Sequence, residues 1–188
     1  MVITGANQGG KSTFLRALGL AQLMMQCGLF VVAEECSAGA VEGIQTHFRR
    51  EEDPSMVSGK FDEELARMSA IVDRIGPRWL ILCNESFSST NERDASRVGG
   101  DIIEGLLASG IRVHLVTHHF ELAQRLRRDV AGATFLRAAR LEDGTRSYEI
   151  VQGEPLRTSY GMDVYAEVIG GATREPTSGA GQEDADDL

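Results

Sequence analysis

The stretch Gly5-Ala-Asn-Gln-Gly-Gly-Lys-Ser12 stands between a short β-prone run, Val2-Ile3-Thr4, and a helical pattern of leucines and methionines that starts near Lys11. It fits G-x-x-x-x-G-K-[ST], in which amides of a glycine-rich turn surround a phosphate chain, the lysine lies beside the outer phosphates and the hydroxyl reaches Mg²⁺. The positive end of the helix dipole points at the same place. The stretch therefore predicts a strand, a phosphate-binding loop (Walker A) and a helix that hold a nucleoside triphosphate.

A glycine-rich turn that merely joins a strand to a helix is the alternative interpretation. The apolar strand before the turn and the helical spacing after it disfavour that alternative, because they provide the context that the motif requires. The residues expected to contact the nucleotide are those of the loop and the first helical turn: Gly5, Asn7, Gly9, Gly10, Lys11, Ser12 and Thr13. Ser12 is also expected to bind Mg²⁺ through its hydroxyl.

Composition limits the classes of protein to which the chain can belong. Its 188 residues are 42% hydrophobic, enough for one core, and its net charge is −9. An acidic domain is poorly suited to bind DNA through its own surface, because lysine and arginine supply most of that affinity. Residues 171–188 contain five acidic residues and one arginine among Gly, Ser and Pro, and are predicted to be a disordered tail after a domain at 1–170.

Other features of the composition favour a cytoplasmic protein. No apolar run approaches the roughly 20 residues needed to cross a bilayer, and the first residues do not resemble a signal peptide. Cys27, Cys36 and Cys83 form no C-x-x-C pair. Each has apolar or small neighbours, so we expect buried, reduced thiols rather than disulfides or metal ligands.

Apolar runs alternate with helical patterns, which predicts an α/β fold with a mainly parallel sheet flanked by helices. The predicted strands are Met1–Thr4, Leu29–Ala33, Ile44–Phe48, Trp79–Asn84, Arg112–Thr117, Ala133–Arg140 and Ser147–Val151. The predicted helices are Ser12–Cys27, Phe61–Ile75, Glu92–Ser109, His119–Arg127 and a short last helix, Ser159–Ile169. Asp143-Gly144 predicts a hairpin between the last two strands, and Arg49–Gly59 reads as a mobile loop.

Hydrolysis of a triphosphate needs a group that activates water and a group that senses the γ-phosphate. Glu85 follows a buried strand, at the carboxyl end where α/β sheets collect ligand-binding groups, and is predicted to be the general base. Asn84, just before it, lies at the same strand end. His118 follows the next strand and is the predicted γ-phosphate sensor; neighbouring His119 is the alternative, although it is expected to begin the next helix.

With these residues in place, the sequence resembles the ATPase domain of the MutS-type DNA mismatch-repair proteins, an ABC-class P-loop family. Three stretches support the resemblance in the family's order: Thr4-Gly-Ala-Asn-Gln-Gly-Gly-Lys-Ser-Thr13, Leu82-Cys-Asn-Glu-Ser-Phe-Ser-Ser-Thr-Asn-Glu-Arg-Asp94 and Val116-Thr-His-His-Phe-Glu-Leu122. They correspond to the phosphate loop, to the Walker B and D-loop segment, and to the histidine switch. Ser159-Tyr-Gly-Met162 is similar to the family's closing motif.

The resemblance implies an ATPase that uses ATP and Mg²⁺ and forms a homodimer, in which each ATP lies between one phosphate loop and a signature segment of the partner. By position, that segment is Ser58-Gly-Lys-Phe-Asp-Glu-Glu64, with Ser58 and Lys60 expected to contact the partner's γ-phosphate. The alternative is that Ser58 or Gly59 only caps the following helix. The resemblance also implies DNA binding by other domains of a longer parent.

The sequence departs from the family pattern in several places. Asn84 stands where the family has aspartate, which predicts weaker Mg²⁺ binding and slow turnover because the negative charge is lost. The D-loop, Ser86-Phe-Ser-Ser-Thr-Asn91, lacks the family's usual glycines, which is typical of a divergent branch. Only four residues precede the phosphate loop, so the chain is expected to be a fragment or to have a misassigned start.

Several functions stay open at this level. An ATP-driven conformational motor in DNA repair or recombination is the main hypothesis, and a switch that binds ATP but hardly hydrolyses it is the second, given Asn84. A small-molecule kinase is a third, although the Asn84-Glu85 pair and His118 do not favour it. An ABC ATPase unrelated to repair is a further alternative, although the chain lacks that group's serine-glycine-glycine signature and coiled-coil insertions.

Overall fold

Six strands form one sheet in the order β2-β3-β4-β1-β5-β6. The computed structural model describes residues 1–5, 8–49, 59–141 and 146–156, with the side chain of Arg146 left out. The strands are β1 Val2–Thr4, β2 Ile44–Phe48, β3 Leu80–Asn84, β4 Arg112–Val116, β5 Phe135–Arg140 and β6 Arg146–Gln152. Every neighbouring pair is parallel except β5 and β6, which are antiparallel. The predicted, mainly parallel α/β sheet with a late strand pair is confirmed.

The helices follow the strands in the alternation that the sequence predicts. They are α1 Lys11–Gln26, α2 Lys60–Val72, α3 Glu92–Asp94, a π-helical turn at Ala95–Gly99, α4 Gly100–Ala108 and α5 Phe120–Asp129. In the described part of the chain, no helix is long and apolar enough to cross a membrane.

Both faces of the sheet are covered. Along β3, Leu80 and Leu82 belong to one apolar cluster with Leu15 of α1, while Ile81 and Cys83 belong to another. The second cluster also contains Met68 and Ile71 of α2, Ile103 and Leu106 of α4, and Leu122 and Leu126 of α5. Since successive side chains of a strand point to opposite faces, a strand that is apolar throughout needs helices on both sides.

The predicted strand Leu29–Ala33 is wrong, because these residues form no strand. Gly28 adopts a left-handed backbone with φ of 68° after α1, and the amides of Leu29 and Ala33 donate to nearby carbonyl oxygens of Met24 and Val31, at 2.9 Å each. The run has β-prone side chains, but its backbone donates to local carbonyls and not to a neighbouring strand. Phe30 and Val32 are each 96% exposed as a result.

The helix predicted at Glu92–Ser109 is interrupted by the π-helical turn at Ala95–Gly99. The Arg125 guanidinium donates to the carbonyl oxygens of Ser96 and Arg97, at 3.1 and 2.8 Å. These carbonyls thus bond to a side chain of α5, and an inserted side chain is a known cause of such irregularities. A Cβ at Gly99 would lie 2.8 Å from the Phe87 ring, so close packing requires glycine there.

The prediction that all three cysteines are buried is confirmed for one of them. Cys83 is buried, and burial raises the pKa of its thiol to about 12, but Cys27 and Cys36 are exposed, contrary to the prediction of burial. They lie at the end of α1 and in the irregular stretch after it, where apolar neighbours do not produce burial.

Four predicted segments lie outside the described residues: the loop interior 50–58, the hairpin turn at 142–145, the last helix and the acidic tail 171–188.

Candidate nucleotide site

Three neighbouring parallel strands end at the same level of the sheet. Val116 of β4 lies opposite both Ile3 of β1 and Asn84 of β3. Just past these residues, the amide of Glu85 donates to Val116 O at 2.9 Å and the amide of Thr117 donates to Ile3 O at 3.1 Å. The glycine-rich loop, Glu85 and His118 therefore leave the sheet side by side, although they are far apart in the sequence.

The glycine-rich loop has a backbone that only glycine adopts easily. Gly5 has φ of 118°, and a Cβ added to it would lie 3.0 Å from the amide nitrogen of Ala138 on β5. Gly10, at the start of α1, has φ of 84°. Left-handed backbone is strained for residues that have a Cβ, so both glycines are required by the fold of the loop.

The amino end of α1 places a cation at the end of this loop. Lys11 is the first residue of α1 and is only 4% exposed. Burial lowers the pKa of its ammonium group, and the negative charge of Glu85 opposes part of that decrease. The first amides of a helix have no carbonyl partner within it and favour anions. Lys11 and these amides together form a site for negatively charged oxygens.

A cavity of about 490 Å³ lies over this helix end. Its lining combines the loop, the helix end and the ends of other strands: Gln8, Gly10, Lys11, Ser12, Thr13, Arg49, Glu85 and Tyr148. The predicted residues Gly10, Lys11, Ser12, Thr13 and Glu85 thus share one cavity.

Glu85 and His118 are paired at the edge of the cavity, where His118 Nδ1 bonds to Glu85 Oε2. Burial raises the pKa of Glu85, but the hydrogen bond and charge of His118, with the charges of Lys11 and His119, outweigh burial and leave that pKa below its usual value. Glu85 is therefore ionised at neutral pH and has a basic oxygen beside the helix end. That is the state a general base requires.

His118 and His119 have different surroundings. His118 is exposed, whereas His119 is buried, and their ring centroids lie 4.3 Å apart. Burial, and then the charge of His118, lowers the pKa of His119. The amide of His119 donates to Thr117 Oγ1 at 3.0 Å, just before α5 begins at Phe120. Of the two histidines, His118 is therefore the one paired with the carboxylate.

The side-chain oxygen of Asn84 has one property of a metal ligand. Its Oδ1 is buried and has no hydrogen-bond partner within the described part of the chain. A buried carbonyl oxygen left unsatisfied is costly unless something binds it, and oxygen is the ligand that Mg²⁺ prefers. Asn84 directly precedes Glu85 but is not among the residues that line the cavity, whereas Ser12 and Glu85 are. The chemistry of its oxygen therefore fits a magnesium ligand, but only Ser12 of the two predicted ligands lines the cavity.

Other predicted residues lie elsewhere. Gly9 is buried in the loop and Gly5 packs against β5, so neither lines the cavity. Lys60 is exposed at the first turn of α2 and is also outside the lining. Asn7 and Ser58 are not among the described residues.

The sequence interpretation missed three residues that line the cavity. Arg49 follows β2, and its amide donates to Asn84 O at 3.0 Å. Tyr148 is an exposed residue of β6 with φ of 59°, and Gln8 is the loop residue with φ of 60°. Only Gln8 had a signal in the sequence, its place inside the motif, because Arg49 and Tyr148 reach the cavity through the pairing of distant strands.

Sequence comparison shows which known proteins this chain is similar to. Residues 1–173 match the family model of MutS domain V. The chain's identity to the DNA mismatch repair protein MutS of Chloroflexus aurantiacus is 34%, over a stretch that covers 65% of this chain and 13% of that protein. Its identity to the DNA mismatch repair protein MutS of Thermotoga petrophila is 31%, over a stretch that covers 87% of this chain and 21% of that protein. For the Thermus thermophilus protein, identity is 30%, covering 90% of this chain and 21% of the relative.

The chain thus spans about a fifth or less of the length of these relatives. The match of the family model covers nearly the whole chain, and it includes the loop, the strand ends and the residues after them that form the cavity. The chain belongs to the MutS family, as its domain V.

Proposed function

We propose that this domain binds ATP with Mg²⁺ in the cavity at the end of α1 and hydrolyses it, as an ABC-type P-loop ATPase. One observation supports the proposal above all others: the buried Lys11 shares a cavity with Glu85, which is paired with His118. A cation at a helix end and a carboxylate in one cavity, with an imidazole bonded to that carboxylate, form a set suited to phosphoryl transfer to water. The choice of ATP rests on the resemblance to the ATPase family.

Each residue has a defined part in this proposal. The loop amides and the Lys11 ammonium bind the β- and γ-phosphates and stabilise the charge that develops on them. Glu85 takes a proton from the attacking water, and His118, whose Nδ1 bonds to Glu85 Oε2, senses the γ-phosphate. Gly5, Asn7 and Gly9 would give the loop the shape that surrounds the phosphates. Thr13 lines the same cavity.

The hydroxyl of Ser12 and Oδ1 of Asn84 would hold the magnesium ion. When bound, Mg²⁺ neutralises part of the phosphate charge. Asn84 provides an oxygen without a negative charge, so we expect this ion to bind more weakly than it would beside a carboxylate.

The wider function is proposed from the relatives, which are named DNA mismatch repair proteins. In this proposal two copies of the domain close around ATP, and hydrolysis opens them, so that DNA-binding parts of a longer parent respond. Ser58 and Lys60 would contact the partner's γ-phosphate. The exposed position of Lys60, outside its own cavity, is consistent with that role.

Lys11→Ala tests the proposed binding site. The substitution removes a charge-assisted contact worth about 1.5–3 kcal/mol, so we expect the Kd for ATP to rise by roughly tenfold to a hundredfold. Titration with a fluorescent ATP analogue measures it. Arg128→Ala, at an exposed cation on α5, is the control and should keep the wild-type Kd. An unchanged Kd in Lys11→Ala would exclude this cavity as the phosphate site.

Asn84→Asp tests the metal site. A restored carboxylate should strengthen Mg²⁺ binding by about tenfold, roughly 1.4 kcal/mol, and raise turnover at low Mg²⁺. The measurement is ATP hydrolysis as a function of Mg²⁺ concentration, with Gln152→Glu on β6 as a control that adds the same charge elsewhere. If hydrolysis and its Mg²⁺ dependence stay unchanged, Asn84 is not a metal ligand. If wild type binds ATP but turnover appears only in Asn84→Asp, the domain is a nucleotide switch.

A further inference from the structure

Buried polar groups of Glu64, His47 and Ser86 join α2, β2 and the residues after β3. His47 Nδ1 lies 2.7 Å from Ser86 Oγ, and His47 Nε2 lies 3.2 Å from the carbonyl oxygen of Glu64. Ser86 Oγ also lies within hydrogen-bond distance, 2.9 Å, of the carbonyl oxygen of His47. The Glu64 carboxylate belongs to the same cluster, in a residue that is 3% exposed. These contacts fix α2 against the segment that begins at Glu85.

The Glu64 carboxylate makes the bond that bears on the site. Its Oε1 accepts a hydrogen bond of 2.8 Å from the amide of Phe87, a residue 23 positions away in the chain. Its Oε2 is buried and has no hydrogen-bond partner among the described residues. A buried carboxylate costs free energy that an apolar side chain of similar volume would not. The polar side chain at this position therefore requires an explanation beyond packing.

The bond lies where the backbone is strained. Glu85 has φ of 55° and Phe87 has φ of 65°, and neither is glycine. A left-handed backbone at such residues costs free energy and persists only where surrounding contacts hold it. On the side of the sheet, the amide of Glu85 donates to Val116 O. On the other side, the bond from Phe87 to Glu64 holds the end of the turn, and the contacts of Ser86 with His47 hold its middle.

We propose that Glu64 is a positioning residue for Glu85. By accepting the Phe87 amide, it holds the strained turn from Glu85 to Phe87, and this turn determines where the Glu85 carboxylate lies relative to Lys11 and His118. Because Glu64 belongs to α2, a displacement of that helix would also move the carboxylate. The inference rests on the proposed function in one respect, the role of Glu85 as the base.

The test compares Glu64→Leu with Glu64→Gln in the full chain. Leucine removes the acceptor, and glutamine keeps an oxygen in the same place. A base displaced by about 1 Å can lose roughly 100-fold in rate, so Glu64→Leu should lower kcat for ATP hydrolysis by about 10- to 100-fold and leave KM within roughly twofold. Glu64→Gln should recover most of kcat. Asp73→Leu, at the exposed carboxyl end of α2 and outside the signature segment, is the control and should keep the wild-type kcat.

Hydrogen exchange gives a readout that does not depend on activity. The Phe87 amide should exchange at least about tenfold faster in Glu64→Leu than in wild type, while the amide of Leu82 in β3 keeps its protection. Wild-type kcat in Glu64→Leu, or equal loss in the leucine and glutamine variants, would overturn the positioning role while the proposed function stands. A wild-type chain that binds ATP but never hydrolyses it would instead remove the role of Glu85. Unchanged exchange at Phe87 would exclude the bond itself.

Discussion

Glu85→Gln is expected to lower the rate of ATP hydrolysis by about 10²–10⁴-fold, the range for loss of a general base. Glutamine has nearly the same shape but cannot accept the proton of the attacking water. Removing the negative charge also removes an interaction that opposes the decrease in the Lys11 pKa. Binding of ATP should be retained or tightened, because one negative charge next to the phosphates is lost.

The measurement is single-turnover hydrolysis together with equilibrium binding of ATP. Glu121→Gln, the same substitution in the first turn of α5, is a suitable control and should hydrolyse ATP at the wild-type rate. If Glu85→Gln keeps more than about a tenth of the rate, Glu85 is not the base and another group activates water. If the variant loses binding as well, the carboxylate has a structural role in the cavity.

Phe87→Ala is expected to lower the free energy of unfolding by about 3–5 kcal/mol, the usual cost of deleting a buried aromatic ring. Phe87 is fully buried, its ring lies 6.1 Å from that of His47, and it packs so closely on Gly99 that no Cβ fits there. The backbone is strained equally with phenylalanine or alanine, so the loss comes from the cavity left by the ring.

Urea denaturation followed by circular dichroism measures this loss. Leu23→Ala on the exposed face of α1, where Leu23 is 51% exposed, should change the free energy by less than about 0.5 kcal/mol. A change of less than about 1 kcal/mol in Phe87→Ala would show that the surrounding residues collapse into the space. In that case the ring does not anchor the segment after Glu85.

The positions of the charges explain why the site depends on the sheet. Lys11, Glu85 and His118 each follow a different strand. Glu85 opposes the decrease in the pKa of Lys11, and interactions with His118 and Lys11 lower the pKa of Glu85. No pair of them is local in sequence. A change in the register of β1, β4 or β3 would therefore change the pKa of Glu85 as well as its position.

Much of the fold was predictable because its signals are local. The apolar strands, the helical spacing and the glycine-rich loop predicted the order of elements, and the structure confirms six of the seven predicted strands with small shifts of their ends. The run Leu29–Ala33 has the same β-prone composition, yet its backbone bonds locally. A strand requires a partner at the right distance, and composition does not reveal one.

The sequence alone determined the chemistry available at the loop, because Gly5, Gly10 and Lys11 act through their own backbone and the helix that follows them. It also placed Glu85 and His118 after strands, where side chains of a parallel sheet gather. Only the tertiary structure decided that His118 pairs with Glu85, that Arg49 and Tyr148 line the cavity, and that Glu64 binds the Phe87 amide. These contacts join residues far apart in the chain, and packing of helices on the sheet sets such distances.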